Sequence, residues 1–329
     1  MLLSDEPISQ AIWRAAMDNF GRLDRRISLH DLRVVMAVAQ AGSMGKAAKL
    51  LATSQPAISR SIGTLEQALG VRLFDRSAQG IELTLFGRAL VNRGTAVFDE
   101  LQHGINDIRF LSNPTVGDLA IGASIAVAEG FVCSVISRLS RRYPRVTFQV
   151  HATDTATAYQ ALLGRRVDLA IVHAIDMPDQ KLMNVEELLQ DPHVVVAGAH
   201  HPLVRRRNIS LAQLVDEPWV LPLPEQPYGT VVSEAFRAHG LQVPPSVVGS
   251  TLPVRTTLLS TGRFLSMVPR VVMQFPPKSR LLRSLPIELP MTTRPLTLVT
   301  LKNRTLNPLA QLFSDSVREA AIRLQKLRR

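Results

Sequence analysis

The sequence predicts a small helical domain with a β-hairpin, then a long linker helix, then an α/β region of two subdomains. Three observations predict this fold class. Apolar residues recur at helical spacing in three short runs between residues 28 and 69. A longer helical run extends from about Thr84 to Leu111. Beyond it, strand-like and helix-like patterns alternate, which is typical of α/β architecture.

Length and composition limit the class of protein. A chain of 329 residues is longer than one hydrophobic core usually serves, so two or three domains are expected. The single cysteine, Cys133, excludes an internal disulfide and fits a reducing compartment, and its apolar neighbours favour a buried thiol. The N-terminus lacks the pattern of a signal peptide, and no apolar stretch reaches ~18 residues. We therefore expect a cytoplasmic protein without a membrane partner.

The net charge of +11 suggests a polyanionic partner, but its distribution weakens that inference. Residues 1–111 contain 13 Lys and Arg against 11 Asp and Glu, so most of the excess lies in residues 112–329. Residues 1–27 form an N-terminal extension in which apolar residues are spaced as in a short amphipathic helix.

Residues 28–84 predict a helix-turn-helix domain with a wing. The second helical run follows Ser43 and the third follows Ser54, and serine is a favoured N-cap. Only Ala52 and Thr53 separate these two runs, so the helices must cross steeply, and the motif extends from Ser43 to Ile62. Two extended runs around residues 77–80 then predict a β-hairpin.

The chemistry at the start of the third helix favours contact with DNA. In this motif the N-terminal residues of that helix meet base edges in the major groove. The residues available there are small or able to hydrogen-bond: Ser54, Gln55, Pro56, Ala57, Ser59 and Arg60. Gln55 suits adenine and Arg60 suits guanine or a phosphate. The basic residues that could neutralise phosphates are Lys46, Lys49, Arg72 and Arg76. The alternative is a packing module with an ordinary polar surface.

Residues 85–111 form the linker and dimerisation helix. Its apolar residues recur at a spacing near that of a coiled-coil seam: Leu90, Val97, Leu101, Ile108 and Leu111. The effector region, residues 112–329, is expected to have one subdomain from about 116–190 and 296–329 and another from about 191–295. Strands are predicted at 118–123, 145–151, 167–173, 193–198, 218–222, 245–250, 264–268 and 295–302. Helices are predicted at 127–142, 155–163, 210–215, 229–239, 252–262 and 307–326.

Four hydroxyl residues follow predicted strands or precede predicted helices: Ser124, Thr153, Thr155 and Thr251. Helix N-termini expose backbone N–H groups and favour anions, so these positions are candidate ligand contacts in a cleft. A carboxylate could be held there by N–H groups and hydroxyls without an ion-pairing arginine. The alternative is that the four residues only cap helices, a role compatible with binding.

Other chemistry is weaker. His193, His200 and His201 lie near Asp191, but no tight metal-ligand spacing is present, and strand and loop histidines are the favoured interpretation. Asp154 and Asp168 could pass for an acid–base pair, although Asp168 lies in a strand pattern that favours a structural role. No set of residues supports catalysis, and neither a metal nor a cofactor is expected.

The ordered residues from Leu32 to Leu90 resemble the N-terminal domain of LysR-type transcriptional regulators. The shared features are Ala47-Ala48, Ser54-Gln55-Pro56-Ala57, Ser59-Arg60, Leu65-Glu66, Leu69-Gly70, Leu73-Phe74-Asp75-Arg76, Leu83-Thr84 and Gly87. The segments Gly117–Ser124 and Leu162–Val172 resemble strands of the effector domain of that family.

The resemblance implies a DNA-binding transcriptional regulator that senses a small effector, often a carboxylate, in a two-subdomain cleft. The implied partners are double-stranded DNA, a second copy in a homodimer that assembles further into a tetramer, and RNA polymerase. A periplasmic-binding-protein-like solute carrier shares the cleft, but residues 28–93 and the N-terminus argue against it. An enzyme is disfavoured by the missing catalytic set.

Overall fold

The computed structural model describes residues 27–77, 80–113, 116–175, 177, 180–249 and 251–326. The chain divides into two compact units, Met1–Leu101 and Gln102–Arg329. The helix predicted within residues 1–25, and with it nearly the whole N-terminal extension, lies outside the described residues.

The described part of the first unit begins with three helices, α1 (Leu29–Ala41), α2 (Met44–Leu50) and α3 (Gln55–Leu69). Each helix follows a serine, Ser28, Ser43 or Ser54, whose hydroxyl accepts a backbone N–H from the first turn. Pro56 occupies the first turn of α3, where no intrahelical N–H is needed. Gly70 ends α3 with φ 67, a left-handed conformation that glycine adopts without steric cost.

A hairpin follows α3 and is tied to it. Strands β1 (Phe74–Ser77) and β2 (Gly80–Leu83) pair antiparallel, with Phe74 opposite Leu83. Glu66 of α3 accepts the backbone N–H groups of Leu73 at 2.7 Å and Phe74 at 3.2 Å. One carboxylate therefore fixes where the hairpin leaves the helical core.

The linker helix α4 (Leu85–Ser112) packs its start against this domain. A Cβ atom built on Gly87 would lie 2.1 Å from the carbonyl oxygen of Leu73, so only glycine permits this approach. The core beneath is made of buried apolar residues, which include Val35, Val38, Ala47, Ile58, Ile62, Leu65 and Leu73. The helical periodicity of the sequence therefore marks the true inward faces of α1 to α3.

The described part of the second unit contains two five-stranded sheets. The first has the order β4-β3-β5-β12-β6, formed by β3 (Val116–Ser124), β4 (Arg145–Thr153), β5 (Leu169–His173), β6 (Met183–Asp191) and β12 (Arg294–Leu301). Strand β3 runs parallel to β4 and β5, while β12 is antiparallel to β5 and β6.

The second sheet has the order β11-β7-β10-β8-β9. Its strands are β7 (His193–Gly198), β8 (Trp219–Leu221), β9 (Ser246–Gly249), β10 (Leu265–Pro269) and β11 (Leu282–Ser284). The chain passes from one sheet to the other at Pro192, between β6 and β7, and returns between β11 and β12. A cluster of buried apolar residues includes members of both sheets, such as Ile121, Ile171, Val196 and Val268.

Helices connect the strands of the second unit: α5 (Cys133–Arg142), α6 (Thr155–Leu163), α7 (Pro227–Ala238), α8 (Leu252–Ser260), α9 (Lys278–Leu281) and α10 (Pro308–Lys326). The predicted helix at 127–142 is confirmed only in its second half as a regular α-helix, because Ala128–Val132 forms a π-helical turn. The helix predicted at 210–215 is a short 3-10 turn, Leu211–Leu214.

The eight predicted strands are present, but β6 and β11 were not predicted. The sequence of β6 mixes charged and apolar residues without strict alternation, and a register irregularity interrupts its pairing with β12. Strand β11 has three residues, too few for a period to be visible. The prediction of a buried thiol is also wrong, since Cys133 is exposed. Its apolar neighbours turn inward around it because helical geometry alternates faces every few residues.

Candidate functional site

The start of α3 presents a polar surface outside the core. Ser54, Gln55, Pro56 and Arg60 are exposed, whereas the next apolar position, Ile58, is buried. Ala57 and Ser59 are half-buried at the edge of this surface. The helix therefore points its inward side chains at α1 and α2 and leaves the first turns free for contact.

The hydroxyl of Ser54 already has a structural role, because it accepts the N–H of Ala57 at 3.4 Å as the N-cap. Lys46 and Lys49 are exposed on α2. Their ammonium groups therefore flank the turn that leads to α3. Arg76 lies on β1, but its side chain is outside the described part of the structure. A polar helix start with cations beside it matches the geometry by which a helix-turn-helix meets DNA.

An apolar stripe runs along the second half of α4. Exposed apolar side chains recur there at spacings of three and four residues: Val97, Leu101, Ile105, Ile108 and Leu111. Ile108 is 66% exposed and Leu101 is 45% exposed in the single chain. Leu90, which was assigned to the seam, packs instead against the core of the first unit, and Ile105 was missed.

A cavity lies in the second unit, with an empty volume of about 620 Å³. Its walls come from the start of α6, the start of α7, the start of α8 and the end of β10. Three of the four predicted hydroxyl residues, Thr153, Thr155 and Thr251, line it together. Ser124 is not among the lining residues. The strand-to-helix junctions thus converge as expected, with one member set behind the wall.

The three lining threonines differ in their partners. Thr153 donates to Asp154, which in turn caps α6 by accepting the N–H of Thr157 at 2.9 Å. Thr155 is 1% exposed, and its buried hydroxyl oxygen has no hydrogen-bond partner among the described residues. Thr251 precedes α8 without forming a side-chain cap. Two hydroxyls at this wall are therefore not used to hold the fold.

Ser124 belongs to a buried polar chain that sequence reasoning missed. Its hydroxyl lies 3.4 Å from the Tyr228 hydroxyl, which lies 2.8 Å from Nδ1 of His173. Nε2 of His173 lies 3.0 Å from Asp191, and Asp191 also accepts the N–H of Val271. Burial raises the pKa of Tyr228 above its ordinary value. The neutral phenol is therefore the form that lines the cavity.

The predicted absence of an arginine from the cleft is wrong. Arg255 of α8 lines the cavity, although it is only 4% exposed. Its Nη1 donates to the hydroxyl of Ser266 at 3.0 Å and to the carbonyl of Met267 at 3.1 Å. The sequence carried a signal for it, because Arg255 is the only charged residue in α8.

The carboxylates and histidines considered for catalysis or metal binding have other partners. Asp168 pairs with Arg304 at 2.9 Å and accepts the N–H of Ala120 at 2.8 Å, as its predicted structural role requires. His193 is buried with Nδ1 3.1 Å from the carbonyl of Thr292. Burial, together with the nearby His173, lowers the pKa of His193 to about 3, so that imidazole is neutral at physiological pH. Across the described residues, no group of three or more potential ligands could hold a metal ion.

None of the helices in the described chain combines the length and apolarity that crossing a membrane requires.

Comparison with known proteins identifies both parts of the chain. Residues 29–88 match the family model of the bacterial regulatory helix-turn-helix protein, lysR family. Residues 112–322 match the LysR substrate binding domain. GbpR of Azospirillum brasilense, an HTH-type transcriptional regulator, is 27% identical over 305 residues, which cover 91% of this chain and 88% of that protein. CmpR of a Synechocystis strain, an HTH-type transcriptional activator, is 30% identical over 201 residues, 60% of this chain and 64% of that protein.

Solved structures share the fold. The LysR family transcriptional regulator CbnR superposes with a TM-score of 0.60 at 20% identity, covering 90% of this chain and 99% of that one. A full-length OxyR variant from Pseudomonas aeruginosa gives a TM-score of 0.61 at 21% identity, covering 90% and 94%. The chain therefore belongs to the LysR family and is a DNA-binding transcriptional regulator, not an enzyme, with a C-terminal region that senses a small molecule.

Proposed function

We propose that the first turns of α3 read the operator, that the cavity beside α6 and α8 binds the effector, and that α4 pairs two chains. The observation that carries the DNA-reading assignment is the exposure of Gln55 and Arg60 on a helix whose opposite face is fully buried. A regulator of this kind acts where the chromosome is, and we assign it to the cytoplasm.

The assignment of bases follows from side-chain chemistry. The amide of Gln55 can donate to and accept from adenine, and the guanidinium of Arg60 can donate twice to guanine. Pro56 and the half-buried Ala57 keep the helix start narrow, which allows close approach to the groove. Lys46 and Lys49 are placed for phosphates, which position the domain without reading sequence.

Replacing Gln55 or Arg60 by alanine is expected to weaken binding to the operator by roughly 1–3 kcal/mol for each residue, because each removes a two-point contact to a base. Fluorescence anisotropy with a labelled duplex from the region upstream of the protein's own gene measures this. Gln67→Ala is the matched control, since Gln67 is exposed at the far end of the same helix. Affinities of Gln55→Ala and Arg60→Ala equal to that of the control would refute the assignment.

The effector assignment rests on the three threonines that the fold brings to one cavity. Thr155 and Thr251 have hydroxyls that no capping bond uses, so a ligand can take them as partners. Ligand pockets commonly combine an apolar wall with a few such polar groups. Helix α4 is continuous from the first unit into the second, which makes it the route by which a change around the cavity would reach the paired DNA-binding domains.

Thr155→Val is expected to reduce the transcriptional response to the effector while leaving the melting temperature unchanged or slightly higher. The hydroxyl is buried without a partner, and such a group costs about 1–3 kcal/mol when it stays unsatisfied, so the fold does not need it. A reporter gene behind the upstream region, with calorimetry on the purified variant, provides the two measurements. Thr257→Val, at an exposed position of α8, is the control. A full response in Thr155→Val would place the effector elsewhere.

A further inference from the structure

The cavity contains a buried cation without a counter-ion. Arg255 is 4% exposed, and no carboxylate among the described residues forms an ion pair with it. Its two acceptors, the Ser266 hydroxyl and the Met267 carbonyl, are neutral and both engage Nη1. Nε is buried and has no partner among the described residues. Burial lowers the pKa of Arg255 to about 10, which still leaves the guanidinium charged at neutral pH.

A purely structural role explains this arrangement poorly. Burying a charge costs several kcal/mol unless a good partner compensates it. Two neutral acceptors on one nitrogen satisfy only part of a guanidinium, which carries five N–H donors. A bracket between α8 and β10 could be made by a neutral side chain at lower cost. The charge itself therefore calls for an acceptor that enters the cavity from outside the chain.

Other groups on the same wall have the character of anion partners. The unpartnered hydroxyl of Thr155 lies at the start of α6, and Thr251 stands at the N-terminus of α8, the helix that carries Arg255. Both helix starts direct positive dipole ends toward the cavity. Asp154 also lines the cavity, but its oxygens already accept from Thr157 and Thr153. Its charge is therefore committed to capping α6.

The rest of the wall is apolar and contains Ile125, Ala126, Pro222, Leu252, Met267 and Pro269. Arg255 is the only basic residue among the lining residues. A phosphate dianion would need more donors and more positive charge than one guanidinium supplies. A planar monoanion with an apolar body matches both the single fork of donors and the hydrophobic wall.

We propose that the effector is a small organic monocarboxylate whose carboxylate binds Arg255 and whose apolar body lies against Leu252 and Met267. The inference rests on the proposed function of this cavity as the effector site. It adds the charge of the ligand and the residue that selects it. Arg255 acts as the specificity-determining group, since a neutral ligand of the same shape leaves the guanidinium uncompensated.

The test compares acids with their own neutral amides. Full-length protein is titrated with acetate, butanoate and hexanoate, and with acetamide, butanamide and hexanamide, at constant ionic strength, while its melting is followed. We expect at least one acid to bind about tenfold more tightly than its amide or better, as a charge-assisted hydrogen bond implies. Arg255→Met and Arg255→Gln should abolish that preference, and the glutamine can retain a bond to Ser266. Arg237→Met, at an exposed position of α7, should preserve it.

Each outcome decides. An acid preference that disappears in either folded Arg255 variant and persists in Arg237→Met supports the inference. Wild-type protein that binds no acid more tightly than its amide overturns it, as does an acid preference that persists in the Arg255 variants. If acids and amides stabilise the wild type equally and Thr155→Val removes both effects, the cavity remains the effector site but its ligand is neutral. If Thr155→Val changes neither effect, the proposed site itself fails.

Discussion

Asp168→Ala is expected to lower the free energy of unfolding of the effector region by about 3–5 kcal/mol, because it leaves a buried arginine without its partner. Arg304 is 7% exposed and lies 2.9 Å from Asp168. His103 Nε2 lies 3.2 Å from the same carboxylate and 2.8 Å from Arg304. The Ala120 N–H donates to its other oxygen at 2.8 Å. The substitution thus removes three interactions at one buried point.

Urea unfolding followed by fluorescence measures the effect. Trp219 is fully buried in β8 and reports on the effector region. Asp315→Ala is the control, since Asp315 makes an exposed ion pair with Arg318 that should contribute at most about 1 kcal/mol. Equal losses in the two variants would contradict a stabilising role for the buried cluster.

The same cluster gives a pH dependence with a definite sign. Burial raises the pKa of Asp168, but the hydrogen bonds from His103 and Ala120 and the charge of Arg304 outweigh it, so the pKa falls below the usual 3.8. A lowered pKa in the folded state contributes stability above the unfolded pKa, and that stability is lost as the pH falls through the folded pKa. Wild-type protein should therefore lose this contribution only below about pH 4, whereas Asp168→Asn should lack that part of the profile.

Leu101→Asp is expected to dissociate the dimer, with an increase of the dissociation constant of about a hundredfold or more, because each chain would bury an uncompensated carboxylate in the interface. Leu101 stands in the apolar stripe with Val97, Ile105 and Ile108, all exposed in the single chain. A contiguous exposed stripe at this spacing is typical of a helix that pairs with another helix.

Analytical ultracentrifugation across a concentration series measures the dissociation. Gln102→Asp is the matched control, since Gln102 is exposed on the same helix but lies on another face. Affinity for an operator with two half-sites should fall in Leu101→Asp and stay near the wild-type value in Gln102→Asp. If both variants assemble as the wild type does, the stripe does not form the interface.

The N-terminal domain was predictable because its determinants are local. Ser28, Ser43 and Ser54 each cap a helix through contacts three residues away, and Gly70 ends α3 by its own backbone conformation. The alternation of apolar and polar positions on α3 was visible in the sequence for the same reason. Helices α6 and α10 and eight strands of the effector region were likewise readable from period and length.

Contacts between distant residues decided the rest. Strand β6 takes its pairing from β12, more than a hundred residues later, so its own mixed pattern is uninformative. Ser124 was correctly placed at a junction, but its orientation toward Tyr228 depends on α7, which follows in the other half of the region.

The sequence by itself determined the helix-turn-helix, its exposed polar start and the positions of the cavity hydroxyls, because capping and periodicity act over a few residues. Only the tertiary structure decided that Arg255 faces those hydroxyls and that Asp168 holds Arg304. Each of those meetings joins elements far apart in the chain, and its energy comes from burial and charge compensation, which exist only once the core has closed.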